Sequence, residues 1–254
     1  MNPIVYLDGH YVRVNAAVLD FFTPGIFPAE GVFETMRCVD GKIEFLDEHL
    51  QRLLAGLKVL RIRHAYNVPA LKRVCQQLVR RNSSIQLGRL RVMVFQAGAN
   101  VHCLAMAVAY QPPSLRQYRQ GLKVKLVRTS RPATARFADV KSLDYRLFAE
   151  AYSKAKAAGY DEALLLNRDG HVFEASRANV FIVLNGQIFT PPLSSGCLNG
   201  IIRQQIIKIA RSLKTPVRER NITLAMLKKA DKVFLTNSLA GLISVGSTYN
   251  ILVG

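Results

Sequence analysis

Hydrophobic residues recur with two different periods along the first half of the chain, which predicts a mixture of helices and strands. A short apolar run at Ile43–Leu46 predicts a strand, and leucines then recur at helical spacing behind acidic residues that begin at Asp47. A second helix is predicted over residues 69–81, because its proline suits a first helical turn. The runs RLRVMVFQ and VHCLAMAVAY predict central strands joined by a tight hairpin at Ala97–Asn100.

The pattern restarts after QPPSLRQYRQG, whose prolines and polar residues predict a linker over residues 113–121. LKVKLV predicts a strand, LDYRLFAEAYSKAKAAG a helix that ends at Gly159, and NGIIRQQIIKIA a helix opened by Gly200. Short strands are predicted at EALLLN, HVFEAS, NVFIVL, QIFT, VFLTN and LISV. The prediction is an α/β (α+β) fold of two domains, over residues 1–112 and 122–254.

Composition supports a globular protein and favours the cytoplasm. Half of the 254 residues are hydrophobic and a fifth are charged. No apolar run approaches the roughly 18 residues of a membrane span, and MNPIVYLDGHY has neither a charged n-region nor a long apolar stretch. We therefore expect neither a signal peptide nor a membrane partner.

Cysteine and histidine spacing gives no indication of a metal site. No two of the four cysteines form a CxxC pair, which favours reduced thiols over a disulfide framework or a zinc site. The five histidines lack metal-binding spacing as well. The residues concerned are Cys38, Cys75, Cys103, Cys197, His10, His49, His64, His102 and His171.

The net charge of +18 is extreme and has two interpretations. It would suit nucleic acid, an anionic surface, or acidic and phosphorylated ligands. The basic residues are nevertheless spread along the chain, with short clusters such as those at 79–81 and 217–220, and aromatic-interleaved basic repeats are absent from the sequence. We therefore interpret the charge mainly as a basic surface and expect a small anionic substrate in preference to nucleic acid.

Four features of the second half together suggest a cofactor site. Lys141 precedes a predicted helix, and Glu174 lies among apolar and small residues. LNGIIR, Leu198–Arg203, places a glycine at a helix start, where backbone N–H groups favour phosphate. LTNS, Leu235–Ser238, adds small polar donors at a strand end. An amine nucleophile, a buried carboxylate and two phosphate-binding segments are what pyridoxal phosphate requires.

With the rest of the chain, these motifs resemble the fold-type IV pyridoxal-phosphate enzymes, the class IV aminotransferase family. The motifs that carry the resemblance are YLDG, EGVFETMR, EHLQRL, VKSLDY, DEALLLNRDGHVFEASRANVF, NGIIRQ and FLTNS, and they span nearly the whole chain in order. The resemblance implies a small N-terminal α/β domain and a larger cofactor-binding domain with a β-barrel-like sheet. It also implies pyridoxal 5'-phosphate as the cofactor and a homodimer as the assembly.

Residues that match the family's motifs take their expected roles from it. Lys141 would be the catalytic Schiff-base lysine and proton shuttle, and Glu174 would hold the pyridine nitrogen. Arg52 would bind the phosphate, although without the resemblance it would be interpreted as an exposed helix arginine. Tyr145 lies four residues after Lys141, hence on the same face of a helix, and either reaches the cofactor or belongs to the core.

The remaining cofactor-binding residues lie further along the chain. Leu198 matches the residue that packs against one face of the pyridine ring. The backbone N–H groups of Ile201 and Ile202 and the hydroxyl of Thr236 match phosphate donors. No metal-binding residue is implied.

Three departures from the family pattern bear on the substrate. Residues before GVFE lack the usual acidic residue or histidine and the preceding aromatic residue, and the chain ends at STYNILVG, where a C-terminal helix is expected. The hairpin at Ala97–Asn100 is short and lacks the arginine and histidine of the D-amino-acid branch, since Arg91 and His102 stand outside that motif. The residues that replace the usual ones before GVFE are Thr23, Pro24 and Ile26.

The matches NGIIRQ and LTNSLAGLISV resemble the lyase branch, so the sequence favours conversion of 4-amino-4-deoxychorismate to 4-aminobenzoate and pyruvate, a step of folate biosynthesis. The alternative is an aminotransferase for branched-chain or D-amino acids. A second alternative is a catalytically silent basic binding protein, against which the presence of Lys141 and Glu174 counts.

Overall fold

The structure, a computed structural model, describes residues 2–15, 30–130, 139–246 and 252–253. It divides the chain into two compact units, which are described separately. The first comprises Met1–Pro112 and Val140–Arg146, and the second Pro113–Asp139 and Leu147–Gly254. The sequence placed residues 140–146 in the C-terminal domain, whereas the structure places them in the first unit. That the two domains are separate functional units stays a prediction.

The first unit is a six-stranded antiparallel sheet with two helices. Its strands lie in the order β2-β1-β6-β5-β3-β4. Their bounds are β1 Ile4–Leu7, β2 His10–Arg13, β3 Glu30–Val39, β4 Lys42–Ile43, β5 Leu87–Ala97 and β6 Asn100–Ala109, and the helices are α1 Leu46–Val59 and α2 Val68–Arg81. The two runs predicted as central strands, β5 and β6, are central and pair through the predicted tight hairpin.

Residues on β3 alternate between two faces of this sheet, as the two-residue period of a strand requires. Val32 and Met36 belong to one core with the buried leucines of α1 and α2. Phe33 belongs to a separate cluster with Met93 and Leu143. Glu34 lies between Val32 and Met36 in this alternation, so its carboxylate projects toward the helices.

The strand predicted at Ile43–Leu46 is shorter in the structure, because β4 ends at Ile43. Phe45 adopts a left-handed backbone conformation, with φ of 51°, and serves as the N-cap of α1. A residue in this conformation cannot continue a strand. The helix therefore begins at Leu46, and its acidic first turn, Asp47 and Glu48, is as predicted.

The second unit contains two open sheets in its described part, not a closed barrel. One has the order β12-β11-β10-β13-β14 and the other β15-β7-β8-β9. The strands are β7 Val124–Arg128, β8 Glu162–Leu166, β9 Val172–Ala175, β10 Asn179–Leu184, β11 Gln187–Thr190, β12 Val217–Glu219, β13 Lys232–Asn237, β14 Gly241–Ser244 and β15 Leu252–Val253. The predicted mixed α/β class is confirmed.

Four helices complete the described part of the second half. They are α3 Leu115–Gln120, α4 Arg146–Ala157, α5 Ile201–Ser212 and α6 Leu224–Lys229, with a 3-10 turn at Leu193–Ser195. The segment predicted as a linker thus contains α3, which Ser114 caps in a reciprocal hydrogen-bonded box with Gln117. None of the helices in the described ranges is long and apolar enough to cross a membrane.

All four cysteines are buried and none forms a disulfide. Within the described residues, no group of three or more histidine, cysteine or acidic side chains is placed to hold a metal ion.

Candidate functional site

Lys141 lies in a short segment of the first unit that pairs with the start of β3. The Phe33 N–H donates to the Lys141 carbonyl oxygen at 3.0 Å, and the Leu143 N–H donates to the Gly31 carbonyl oxygen at 2.9 Å. Gly31 must lack a side chain, because a Cβ there would collide with the backbone of β5 at Val94 and Phe95. The sheet therefore fixes the backbone of the lysine that the motifs single out.

The amine of Lys141 lies against two aromatic rings. Its Nζ is 4.4 Å from the centroid of the Phe33 ring and 5.7 Å from that of Tyr145. The two rings meet edge to face with centroids 5.5 Å apart. An ammonium is attracted to such ring faces, and Lys141 is half-buried. The amine is therefore held at a defined place beside an apolar wall.

The four-residue spacing predicts that Tyr145 lies on the same helical face as Lys141, and the structure shows that it does not. The helix α4 begins only at Arg146, and the Tyr145 N–H donates to the Leu143 carbonyl oxygen at 2.8 Å in a local turn. The segment uses its backbone groups to pair with β3, so those groups are not available to a helix. The ring of Tyr145 nevertheless lies near the Lys141 amine.

Arg52, the predicted phosphate-binding arginine, forms a two-pronged ion pair with Glu34. Its Nε donates to Glu34 Oε1 and its Nη2 to Glu34 Oε2, both at 2.7 Å. His49 Nδ1 lies 2.6 Å from the same Oε2. Burial by itself raises the pKa of Glu34, but the charge of Arg52 and the hydrogen bonds from His49 and Arg52 outweigh it and lower that pKa to about 2.

The sequence did not assign roles to Glu34 and His49, although both stand in the motifs EGVFETMR and EHLQRL. Their side chains are almost completely buried, with exposures of 0% and 1%. A buried charge needs a partner. The carboxylate of Glu34, at a core-facing position of a predicted strand, could therefore have indicated a buried basic partner. His49 and Arg52 are three residues apart on one helix, so the sequence could also have indicated that their side chains are neighbours.

In the second unit, Glu174 lies on β9, where all four residues are buried. Its Oε2 accepts a hydrogen bond from the Leu198 N–H at 3.2 Å. Burial and then the negative charge of Glu174 raise the pKa of the neighbouring Cys197 thiol to about 11. The structure thus brings together two predicted residues, Glu174 and Leu198, which are far apart in the sequence.

The start of α5 approaches the same region of the second unit. Gly200 is the N-cap and provides no side-chain capping bond, so the first N–H groups of α5, which begin with Ile201 and Ile202, lack a capping side chain. A Cβ on Gly200 would collide with Asn179 Oδ1. The Asn179 amide in turn donates to the Leu198 carbonyl oxygen at 2.8 Å. Asn179 therefore holds the turn before α5, a role that the sequence did not predict.

Thr236 lies opposite Asn179 in the pairing of β10 with β13. It is 2% exposed, and its hydroxyl has no hydrogen-bond partner among the described residues. A buried hydroxyl without a partner is costly. This donor, beside the helix start that Gly200 opens, fits the phosphate group of pyridoxal phosphate.

The structure describes only some of the residues that depart from the family pattern, among them Arg91 and His102. Arg91 is half-buried on β5, with its guanidinium carbon 5.9 Å from the Phe33 ring centroid, and this partial burial lowers its pKa to about 10. His102 Nδ1 lies 2.6 Å from Asp8 Oδ2 at the surface. The altered positions 23–26 lie outside the described residues.

The family profile described as amino-transferase class IV matches residues 31–248. The chain belongs to the class IV aminotransferases. Enzymes of this family use pyridoxal phosphate, so the predicted enzyme class and cofactor are confirmed.

Named relatives of this class IV aminotransferase are mostly branched-chain aminotransferases. A Methanocaldococcus jannaschii protein, provisionally named a branched-chain-amino-acid aminotransferase, is 32% identical over 95% of this chain and 86% of its own. The structure of the Thermoproteus uzoniensis branched-chain aminotransferase matches with a TM-score of 0.85 and 28% identity, over 96% of this chain and 86% of that one. A Legionella pneumophila structure, provisionally named 4-amino-4-deoxychorismate lyase, matches with a TM-score of 0.78 and 27% identity, over 88% and 85%.

Proposed function

We propose that this protein is a pyridoxal-phosphate-dependent aminotransferase that acts on branched-chain or related aliphatic amino acids. The proposal is carried by its similarity, over nearly the whole chain, to proteins named branched-chain aminotransferases in both sequence and structure. The sequence motifs favoured the lyase and kept the aminotransferase as an alternative. The relatives support that alternative better.

The surroundings of Lys141 also support an aliphatic substrate. The rings of Phe33 and Tyr145 lie within 4.4 and 5.7 Å of its Nζ, so the reacting amine stands beside apolar surface. An aliphatic side chain gains free energy when it is buried against such a wall, at roughly 25 cal/mol per Å² of apolar surface. A charged side chain placed against these rings would lose part of its hydration.

Lys141 and Glu174 would carry the chemistry. Pyridoxal phosphate, when bound, supplies an electron sink for bond breaking at the α-carbon of the amino acid. Lys141 would hold the cofactor, and its Nζ, once displaced by the amine of the substrate, would act as the base that takes the α-proton and then as the acid that gives it back. The carboxylate of Glu174 would accept a hydrogen bond from the ring nitrogen and keep it protonated.

Other groups would hold the cofactor in place. Arg52, the N–H groups of Ile201 and Ile202, and the Thr236 hydroxyl would bind the phosphate, as the family motifs imply. Leu198 would pack against the pyridine ring, while its N–H keeps Glu174 oriented through the 3.2 Å hydrogen bond.

A lyase that releases 4-aminobenzoate remains the second candidate, because a structure provisionally named for that activity matches 88% of the chain. A paired assay decides between the two. One reaction follows 4-aminobenzoate from 4-amino-4-deoxychorismate, and the other follows glutamate from 2-oxoglutarate with leucine, isoleucine or valine. Lys141→Ala serves as the inactive control in both.

We expect glutamate in the second reaction and no 4-aminobenzoate in the first. Release of 4-aminobenzoate without amino transfer would refute the aminotransferase proposal in favour of the lyase. Should both reactions fail while the protein binds heparin with steep salt dependence, the third interpretation, a basic binding protein, would replace both.

A further inference from the structure

We infer that His49 is a positioning residue of the cofactor site, which acts through Glu34 to fix the guanidinium plane of Arg52. The inference rests on the proposed function, because it takes Arg52 as a ligand of the cofactor phosphate. His49 itself would not contact the cofactor. Its contribution would be to the orientation of the arginine.

Three hydrogen bonds fix the Glu34 carboxylate. Oε1 accepts from Arg52 Nε, and Oε2 accepts from both Arg52 Nη2 and His49 Nδ1, at distances of 2.6 to 2.7 Å. Glu34 is ionised and can only accept hydrogen bonds, so the His49 Nδ1 must carry the proton. A carboxylate with all three donors in place has one orientation, and the planar fork of Arg52 has to match it.

The three side chains come from two elements that pack on each other. Glu34 stands on β3, while His49 and Arg52 are three residues apart on α1 and so lie on the same helical face. A guanidinium presents its donors in a rigid plane. Once one edge is fixed on Glu34, the direction of the other edge is fixed as well.

Burial makes His49 difficult to replace. His49 and Glu34 have side-chain exposures of 1% and 0%, so water does not readily take over the lost hydrogen bond. Without that donor the carboxylate can turn about its last bond, and the paired guanidinium turns with it. Arg52 is 15% exposed at its side chain, more than either of its two partners.

The test compares the affinities of the apoprotein for pyridoxal 5'-phosphate and for pyridoxal, which lacks the phosphate. Both probes attach through the same aldehyde, so the ratio of their dissociation constants isolates the contribution of the phosphate. We expect His49→Leu to reduce the preference for the phosphorylated form roughly tenfold, the lower end of what supporting residues contribute at metal sites. His49→Asn, whose amide can donate from near the Nδ1 position, should retain most of it.

Two further variants control the experiment. Arg52→Ala should abolish most of the preference, since it removes the proposed phosphate ligand. Leu57→Ala removes a fully buried side chain from the same helix. Because a leucine side chain takes no part in the hydrogen bonds of Glu34, this variant should leave the ratio at the wild-type value. If His49→Leu does not fold, His49→Gln replaces it, because its amide is displaced from the Nδ1 position.

A wild-type ratio in His49→Leu or His49→Gln would overturn the inference while the proposed function stands. So would a wild-type ratio in Arg52→Ala, or an equal loss in Leu57→Ala. Failure of the wild-type protein to bind pyridoxal 5'-phosphate at all would overturn both the inference and the proposed function.

Discussion

Replacement of Thr236 with valine should change cofactor affinity and protein stability in opposite directions. The threonine is 2% exposed, and its hydroxyl has no partner among the described residues. Valine has the same shape but replaces the hydroxyl with a methyl group. The variant therefore removes an unsatisfied polar group from the cofactor-free protein and a proposed phosphate ligand from the loaded one.

Each effect can be estimated from the burial of this group. A buried polar group without a partner costs about 1–3 kcal/mol, so the free energy of unfolding of the apoprotein should rise by about 1 kcal/mol or more. A hydrogen bond to a charged group contributes about 1.5–3 kcal/mol. Its loss should raise the dissociation constant of pyridoxal phosphate by roughly 10- to 150-fold.

Thr190 provides a matched control in the same unit. It is also fully buried, but its hydroxyl donates to the Val180 carbonyl oxygen at 2.8 Å. Thr190→Val should lower the free energy of unfolding by about 1–3 kcal/mol and leave the cofactor affinity unchanged. Urea denaturation of the apoproteins and titration with pyridoxal phosphate measure the two quantities. If Thr236→Val is destabilised like Thr190→Val, or binds the cofactor as tightly as wild type, the assignment of Thr236 is wrong.

Four further predictions concern Lys141, Glu174, Glu34 and the oligomeric state. The purified protein should be yellow, and borohydride reduction followed by peptide mapping should label Lys141; a label on another lysine would contradict its role. Glu174→Gln should keep the cofactor but lose roughly 100- to 1000-fold in turnover, whereas near-normal turnover would make Glu174 structural. The pKa of Glu34 is about 2 in the folded protein against an ordinary 4.5, so the stability it confers is present above pH 4.5 and is lost toward pH 2; Glu34→Gln should flatten that loss in urea midpoints measured across this range. Light scattering should show a homodimer, and a fully active monomer would refute that expectation.

Local patterns in the sequence were sufficient for most of the helices and strands. The leucine period of α1 and the apolar runs of β5 and β6 gave the correct elements, because those periods depend only on which face of an element is buried. The predicted ends of two elements were wrong, in one case because of the backbone conformation of a single residue and in the other because of pairing with a distant strand. Phe45 shortened a strand through its left-handed backbone, and pairing with β3 delayed the start of α4 beyond Tyr145.

The sequence by itself also determined the family, since the order and spacing of its motifs are those of the class IV aminotransferases and single out Lys141 and Glu174 as the proposed catalytic residues. Only the tertiary structure showed that Glu34, His49 and Arg52 form one hydrogen-bonded network, and that Asn179 holds the turn beside Thr236. The physical reason is that these contacts join residues from separate elements. Sheet register and helix packing decide whether a polar side chain is buried and which partner it contacts. The local spacing of hydrophobic residues does not contain this information.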